Sequence, residues 1–408
     1  MTKGASTNSK LQAIRWEHPR LLILNQLLLP HASEYVEIRN SEDGHRAIAT
    51  MQVRGAPAIA IVAALSLAAE VLALCNNNDN SNNESVAELI CSKLDYLGTS
   101  RPTAVDLFKA IASLKATVAD ALQKEEDVDI GQTYVDNAVA MLDHDVAANN
   151  RIGENGAEFI KTQSEKGDCS SNGGGEGVKV LTHCNTGALA TAGHGTALGI
   201  IRSMYHKGIG NLEHVYFTET RPYNQGARLT SYELLTEGIP STLVCDSAVS
   251  ALLQSDPSIV AIVVGADRVA ANGDTANKIG TYQLAITARH HGRLFIVAAP
   301  WTSIDLSLPS GKGIVIEKRE ENEITTITGF TQKSILAETS NSGSSSSGAA
   351  VDQLQKECIQ VAPLGARAWN PSFDVTPASL ISAIVTETGV FTKPDGAAEY
   401  DLQGAFGS

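Results

Sequence analysis

Along the first 150 residues, apolar positions recur mostly with helical spacing, after two short extended runs at Leu21–Leu29 and Tyr35–Ile38. The pattern predicts helices over Ser41–Met51, Pro57–Leu74, Ser85–Tyr96, Ala104–Lys124 and Asp129–Ala147. Pro57 suits the first turn of its helix, where the missing N–H has no partner to lose. From Val178 onward the rhythm becomes strand, loop, helix, repeated. Runs at Val178–Thr182, His214–Thr218, Thr242–Cys245, Ile259–Val264 and Leu294–Ala298 read as strands. Helices are predicted between them at Ala190–Tyr205, Gln225–Glu237, Ser247–Gln254 and Asn277–His290, and a last one at Pro377–Glu387. Such alternation argues for a parallel sheet with helices on both faces. The expected fold class is α/β: a mostly helical N-terminal domain with a few short strands over residues 1–150, then a parallel-sheet domain over 178–408.

Three polar segments interrupt the pattern: Asn76–Glu84, Lys166–Gly177 and Ser340–Gly348. They lack the apolar side chains that offset ordering entropy and read as mobile inserts. The second falls in a linker region at 151–177, and the third is a flexible insert at 340–348 within the sheet domain.

Composition adds exclusions. The chain of 408 residues carries a formal net charge of −14, which disfavours nucleic acid as a partner. Six cysteines at 75, 91, 169, 184, 245 and 358 show no C-x-x-C spacing, so neither a metal nor a redox framework is expected. The apolar run Ala56–Leu74 is rich in alanine and broken by Ser66 and Glu70, so a buried helix is expected rather than a membrane span. Free thiols and an N-terminus without an apolar core point to the cytoplasm, with the nucleus also open.

Open parallel sheets bind ligands beyond the carboxyl ends of their strands. Polar residues stand there: Cys184 after the first strand, Thr220–Gln225 after the second, Asp267 after the fourth. His183–Gly195 (HCNTGALATAGHG) sets Cys184 in a loop whose glycines admit close backbone approach, ahead of an expected helix start that would favour a thiolate. Equally, Cys184 suits a small buried hydrophobe. Asp267 is either an acid–base group or an ordinary capping or ion-paired carboxylate. Arg54-Gly55-Ala56-Pro57 and Arg101-Pro102 each put an arginine before a helix start, a pattern that holds phosphate or merely caps. Asn277 and Lys278 are read as opening a helix in a phosphate-friendly way, and Asp274 as a turn residue. No G-x-G-x-x-G, P-loop or G-x-S-x-G sequence occurs, so no nucleotide cofactor is expected.

Taken together, the motifs VRGAPAI (Val53–Ile59), SRPTAV (Ser100–Val105), HCNTGALAT (His183–Thr191), TRPYNQGARLTSYEL (Thr220–Leu234), GADRVAANGDTANKIGTYQLA (Gly265–Ala285), APWTSIDLSLPSGKGIVIEKR (Ala299–Arg319) and WNPSFDVTP (Trp369–Pro377) resemble the methylthioribose-1-phosphate isomerases of methionine salvage. That family sits in a wider group with the regulatory subunits of translation initiation factor 2B. The resemblance implies a Rossmann-like catalytic C-terminal domain, a homodimer, no cofactor, and a small phosphosugar substrate. It implies an aldose–ketose isomerase that converts 5-methylthioribose 1-phosphate to 5-methylthioribulose 1-phosphate. It further implies that Asp267 donates a proton, that Cys184 is the second catalytic residue, and that Arg54, Gly55, Ala56, Arg101, Gln225, Asn277 and Lys278 bind substrate. A ribose-1,5-bisphosphate isomerase and a non-catalytic regulatory subunit that senses a phosphorylated ligand are the alternatives.

Overall fold

The computed structural model describes residues 11–75, 82–102, 104–124, 128–166, 177–332, 335, 355–394 and 396–406. Most of the first two polar inserts and all of 340–348 lie outside them. The chain opens with an antiparallel meander of β1 (Ile14–Glu17), β2 (Arg20–Leu24) and β3 (Tyr35–Ile38). The expected short strand Leu21–Leu29 ends earlier, at Leu24, and its partner β1 was missed in the sequence. Helices α1 (Ser41–Ala49), α2 (Ala56–Cys75), α3 (Asn83–Gly98), α4 (Val105–Leu122) and α5 (Ile130–Lys166) follow. Asn40 and Asn82 cap α1 and α3 by accepting the N–H groups of Asp43 and Ser85. Helix α2 is apolar on every face because it is the axis of this half, with α1, α3, α4 and α5 packed around it. Its stretch Ala56–Leu74 is long and apolar enough to cross a membrane, yet 72% of it is buried in the fold.

Helix α5 runs for 37 residues, well past the expected end at Ala147. Its first half packs Tyr134, Val135 and Ala138 into the helical core. Its second half packs Ile152, Ala157 and Ile160 onto the sheet. The same apolar stripe therefore serves two cores.

The second half contains β4 (Val178–Thr182), α6 (Ala197–Lys207), β5 (Leu212–Thr218), α7 (Ser231–Glu237), β6 (Ser241–Val244), α8 (Val249–Ser255) and β7 (Ile259–Gly265). Then come β8 (Arg268–Ala270), β9 (Thr275–Lys278), α9 (Thr281–His290), β10 (Leu294–Ala298), β11 (Ile304–Asp305), β12 (Thr326–Phe330), β13 (Lys356–Gln360), β14 (Phe373–Thr376), β15 (Ala383–Thr386) and β16 (Gly389–Phe391). The main sheet has the order β16-β15-β10-β7-β4-β5-β6, parallel except for β16. A smaller sheet, β11-β8-β9-β14, sits beyond its carboxyl edge, and β12 and β13 form a hairpin.

The expected helix Pro377–Glu387 is instead a short turn, Ala378–Leu380, followed by β15. All four residues of β15 are buried between β10 and β16, and a brief apolar run buried on both faces carries no period that separates strand from helix.

Candidate active site

The chain lays β4, β5 and β6 outward in one direction and then returns to place β7 on the other side of β4. The strand order reverses between β4 and β7, so a crevice opens beyond their carboxyl ends. Thr182 of β4 is in register with Val263 of β7, and two residues beyond the ends of these strands stand Cys184 and Asp267. A cavity of about 460 Å³ fills the crevice. Arg54, Gly55, Ala56, Arg101, Cys184, Gln225, Asp267, Asn277 and Lys278 all line it. Every catalytic and substrate-binding residue implied by the resemblance therefore lines one place.

Each arrives by a distinct local device. The starts of α2 and α4 point at the cavity from the helical half, bringing Arg54 and Arg101. Gly55 has φ +100°, and a Cβ there would fall 2.3 Å from the Ala190 carbonyl oxygen. Only glycine lets the Cys184 loop rest on this helix start. Asn277 and Lys278 return to Asp267 through the hairpin β8–β9, whose turn is Asn272-Gly273-Asp274, and the Asp267 amide donates to the Ala276 carbonyl at 2.9 Å. Asp274 is a turn residue, as expected, and also accepts the Gly311 and Ala378 amides.

Two local expectations change. Asn277 and Lys278 do not open a helix. They close β9, and α9 starts only at Thr281, after Gly280 turns the chain at φ +103°. Asp374 of β14 accepts the Gly280 and Tyr282 amides at 2.8 and 3.0 Å, capping that helix from a neighbouring strand. The segment after Cys184 is likewise not helical until Ala197, because Gly195 lies flat on Gly187 at φ +87°. Lys278 stands near enough to interact electrostatically with both Cys184 and Asp267.

A buried carboxylate organises the Cys184 loop. Glu233 of α7 accepts the Asn185 side-chain amide at 2.7 Å and the Ala188 amide at 2.7 Å. Arg202 of α6 donates to Glu233 at 2.6 Å and to Glu237 at 2.8 and 2.9 Å. Thr220 accepts the Cys184 amide at 2.9 Å, and Asp246 accepts the Thr220 and Arg221 amides at 2.8 and 2.7 Å. His183 joins Thr218 to the Ile279 carbonyl, with Nε2 donating at 2.9 Å, and so ties the Cys184 loop to the Lys278 turn. Burial holds the His183 pKa below its ordinary value. Gln225 precedes a wide π-helical turn, Gly226–Thr230, where a Cβ on Gly226 would overlap the Thr218 carbonyl. Wide turns of this kind collect at functional sites.

Burial pushes the Asp267 carboxyl above its ordinary range, against the pull of Lys278, Arg54, Arg101 and Arg268. Burial also pushes Lys278 below its ordinary value, with Cys184 and Asp267 opposing. Arg101 is lowered by burial and then by Arg54. Arg54, Arg101 and Lys278 form no ion pair among the described residues, and one guanidinium nitrogen of Arg54 is buried without a partner. The Gln225 carbonyl oxygen is in the same state. Such groups fit an absent anion and hydroxyls. Among the described residues no three His, Cys, Asp or Glu side chains converge on a metal position.

A model of the initiation factor 2 subunit family matches residues 52–393. This chain belongs to that family. It is 50% identical over 392 residues to methylthioribose-1-phosphate isomerase of Coccidioides posadasii (strain C735), with 94% of each chain covered. It is 50% identical over 385 residues to methylthioribose-1-phosphate isomerase of Nematostella vectensis, covering 94% of this chain and 97% of that relative. Among solved structures, 5-methylthioribose 1-phosphate isomerase from Pyrococcus horikoshii superposes with a TM-score of 0.78 at 33% identity, over 97% of this chain and 95% of that one. Translation initiation factor eIF-2B, subunit delta, from A. fulgidus superposes with a TM-score of 0.73, also at 33% identity, over 94% and 97%. The α/β architecture with a helical N-terminal region is thus the fold shared with the Pyrococcus horikoshii isomerase.

Proposed function

We propose that this chain is the isomerase that converts 5-methylthioribose 1-phosphate to 5-methylthioribulose 1-phosphate, in methionine salvage. The observation that carries it is the meeting of Asp267, Cys184 and three cations without carboxylate partners in one cavity at the strand switch point. Relatives of that name, 50% identical over nearly the whole chain, support the substrate. A homodimer belongs to the same proposal on the strength of the family resemblance, and a cytoplasmic or nuclear location on the free thiols and the N-terminal composition.

The substrate carries its phosphate on the anomeric oxygen, so its ring does not open spontaneously to an aldehyde. Asp267, whose hold on its proton burial strengthens, donates to the ring oxygen and the bond from C1 to that oxygen breaks. Hydrogen then passes from C2 to C1, and the C2 hydroxyl gives up its proton as the ketone forms. The proton given by Asp267 is thereby balanced. Cys184 serves this transfer either as base, taking the C2 proton, or by stabilising charge during a hydride shift. Arg54, Arg101 and Lys278 anchor the phosphate, so binding energy remote from C2 positions it.

Bound phosphate also neutralises the cations that hold the Asp267 pKa down, so the substrate itself favours the protonated acid. A second phosphate would find less support. The remaining cavity cations, Arg319 and Arg268, face Glu323, Glu317 and Asp305, whereas Met51, Pro57, Ile59, Val105 and Ile314 offer apolar wall. That pattern favours a methylthio group over ribose 1,5-bisphosphate.

An assay with both sugars decides the reading. Turnover of methylthioribose 1-phosphate is expected to dominate, and preference for the bisphosphate overturns it. Asp267→Asn should lower kcat by about 10²–10⁴-fold with little change in KM. Near-normal turnover of that variant removes Asp267 from the role of acid. In heavy water, substantial solvent deuterium on C1 of the product overturns a pure hydride shift.

A further inference from the structure

Asp106 is the second residue of α4 and stands on its inward side. The other buried positions of that helix are Leu107, Ile111, Leu114, Val118 and Ala121, all apolar. Asp106 is only 8% exposed, yet it accepts no hydrogen bond among the described residues, and its Oδ2 atom is buried without a partner. Its side chain lines the same cavity as Asp267 and Cys184. Burial pushes its pKa up to about 6, with Lys109 opposing and Asp267 adding to the rise. The nearest cations are committed elsewhere: Lys109 donates to the Thr302 carbonyl at 2.7 Å, and Arg268 faces Asp305 at 4.0 Å.

A buried carboxylate without a partner is costly, and an apolar residue at position 106 would avoid the cost. The anion is expected at Arg54, Arg101 and Lys278, and a carboxylate repels it, so Asp106 does not serve the phosphate. What remains for a polar group on this wall is an uncharged donor, and the ligand class inferred for the cavity presents sugar hydroxyls. We propose that Asp106 is a substrate-binding residue that accepts a hydrogen bond from a ribosyl hydroxyl and so separates sugar phosphates from bare phosphate. The inference rests on the isomerase reading for the identity of the sugar, but its test needs only binding.

The probes are ribose 1-phosphate and inorganic phosphate, titrated calorimetrically into the full chain. The native protein should bind the sugar phosphate more tightly than phosphate. In Asp106→Leu, which keeps shape and removes both oxygens, the sugar phosphate should weaken at least about tenfold, as loss of a hydrogen bond to a charged group implies, while phosphate binding is unchanged. Asp106→Asn keeps an acceptor and should retain most of the preference. Unchanged ribose 1-phosphate binding in Asp106→Leu overturns the proposal. Equal loss of both ligands in Asp106→Leu, with the leucine protein as soluble and cooperative in melting as native, also overturns it, since a collapsed cavity would then explain the loss. Should Asp106→Leu not fold, Asp106→Ala takes its place: loss of the preference there supports the contact, and a preference equal to native overturns it. Absence of isomerase activity in the native protein, with the binding preference present, defeats the isomerase reading alone.

Discussion

Two buried groups of charges lie close together and differ in one respect. Beneath the Cys184 loop, Arg202 is held by Glu233 and Glu237, and these carboxylates are filled by further donors. Burial works against the Arg202 charge, but the two carboxylates outweigh it and raise its pKa. Around the cavity, Arg54, Arg101 and Lys278 form no ion pair among the described residues, and burial displaces Asp267, Lys278 and Arg101 toward their neutral forms. A satisfied cluster fixes shape; an unsatisfied one stores affinity for a ligand that completes it. The paired cluster carries the loop, and the unpaired one faces the space that the loop encloses.

Replacing one cation from each by methionine should give opposite results. Arg202→Met leaves two carboxylates buried without a cation and should cost about 3–5 kcal/mol in stability. Lys278→Met removes a charge that burial already disfavours, so stability should hold or rise while kcat/KM collapses. Urea denaturation of both variants, beside the native protein, measures the difference. Equal destabilisation would mean that Lys278 is paired in solution and that the contrast is false.

Only the cavity side of this contrast was legible in the sequence. The strand Val178–Thr182 and the residues after each strand were readable because a buried parallel strand ends where its apolar run ends. That rule found Cys184, Gln225 and Asp267. Applied to the third strand it would also have found Asp246, which follows β6 and pins the Thr220 turn. Glu233 offered no such signal, because it sits mid-helix and its partners at 185, 188 and 202 are set by tertiary packing. Asn277 and Lys278 were placed in the site for a reason that did not hold locally: the helix begins later, because its cap comes from Asp374, about a hundred residues on in the chain. Position 150 gave no break in α5, because one apolar stripe packs first on helices and then on strands.

Inorganic phosphate sharpens the comparison without chemistry. If the unpaired cations await an anion, phosphate at about one hundred times its Kd should add roughly 2.7 kcal/mol to stability. Thermal melting with and without phosphate reads this. The gain should vanish in Lys278→Met and persist in Cys184→Ala. A gain that survives the loss of Lys278 would place the anion elsewhere.

The smallest effect concerns Asp267 itself in the ligand-free protein. Its folded pKa lies above the ordinary value of 3.8. Below that ordinary value both folded and unfolded chains hold the proton, and the contribution of Asp267 to stability is fully present. As pH rises, the unfolded chain releases the proton first, so that contribution falls until the folded pKa is passed. Asp267→Asn removes the titration. The variant should match the native protein in acid, gain on it steadily as pH rises, and then run parallel to it. Denaturation curves followed upward from acid pH trace the window. Phosphate, by neutralising Lys278, Arg54 and Arg101, should extend it upward. Two curves that stay parallel throughout would show an Asp267 carboxyl that burial does not raise, and the distinction between the two clusters would fail at its central residue.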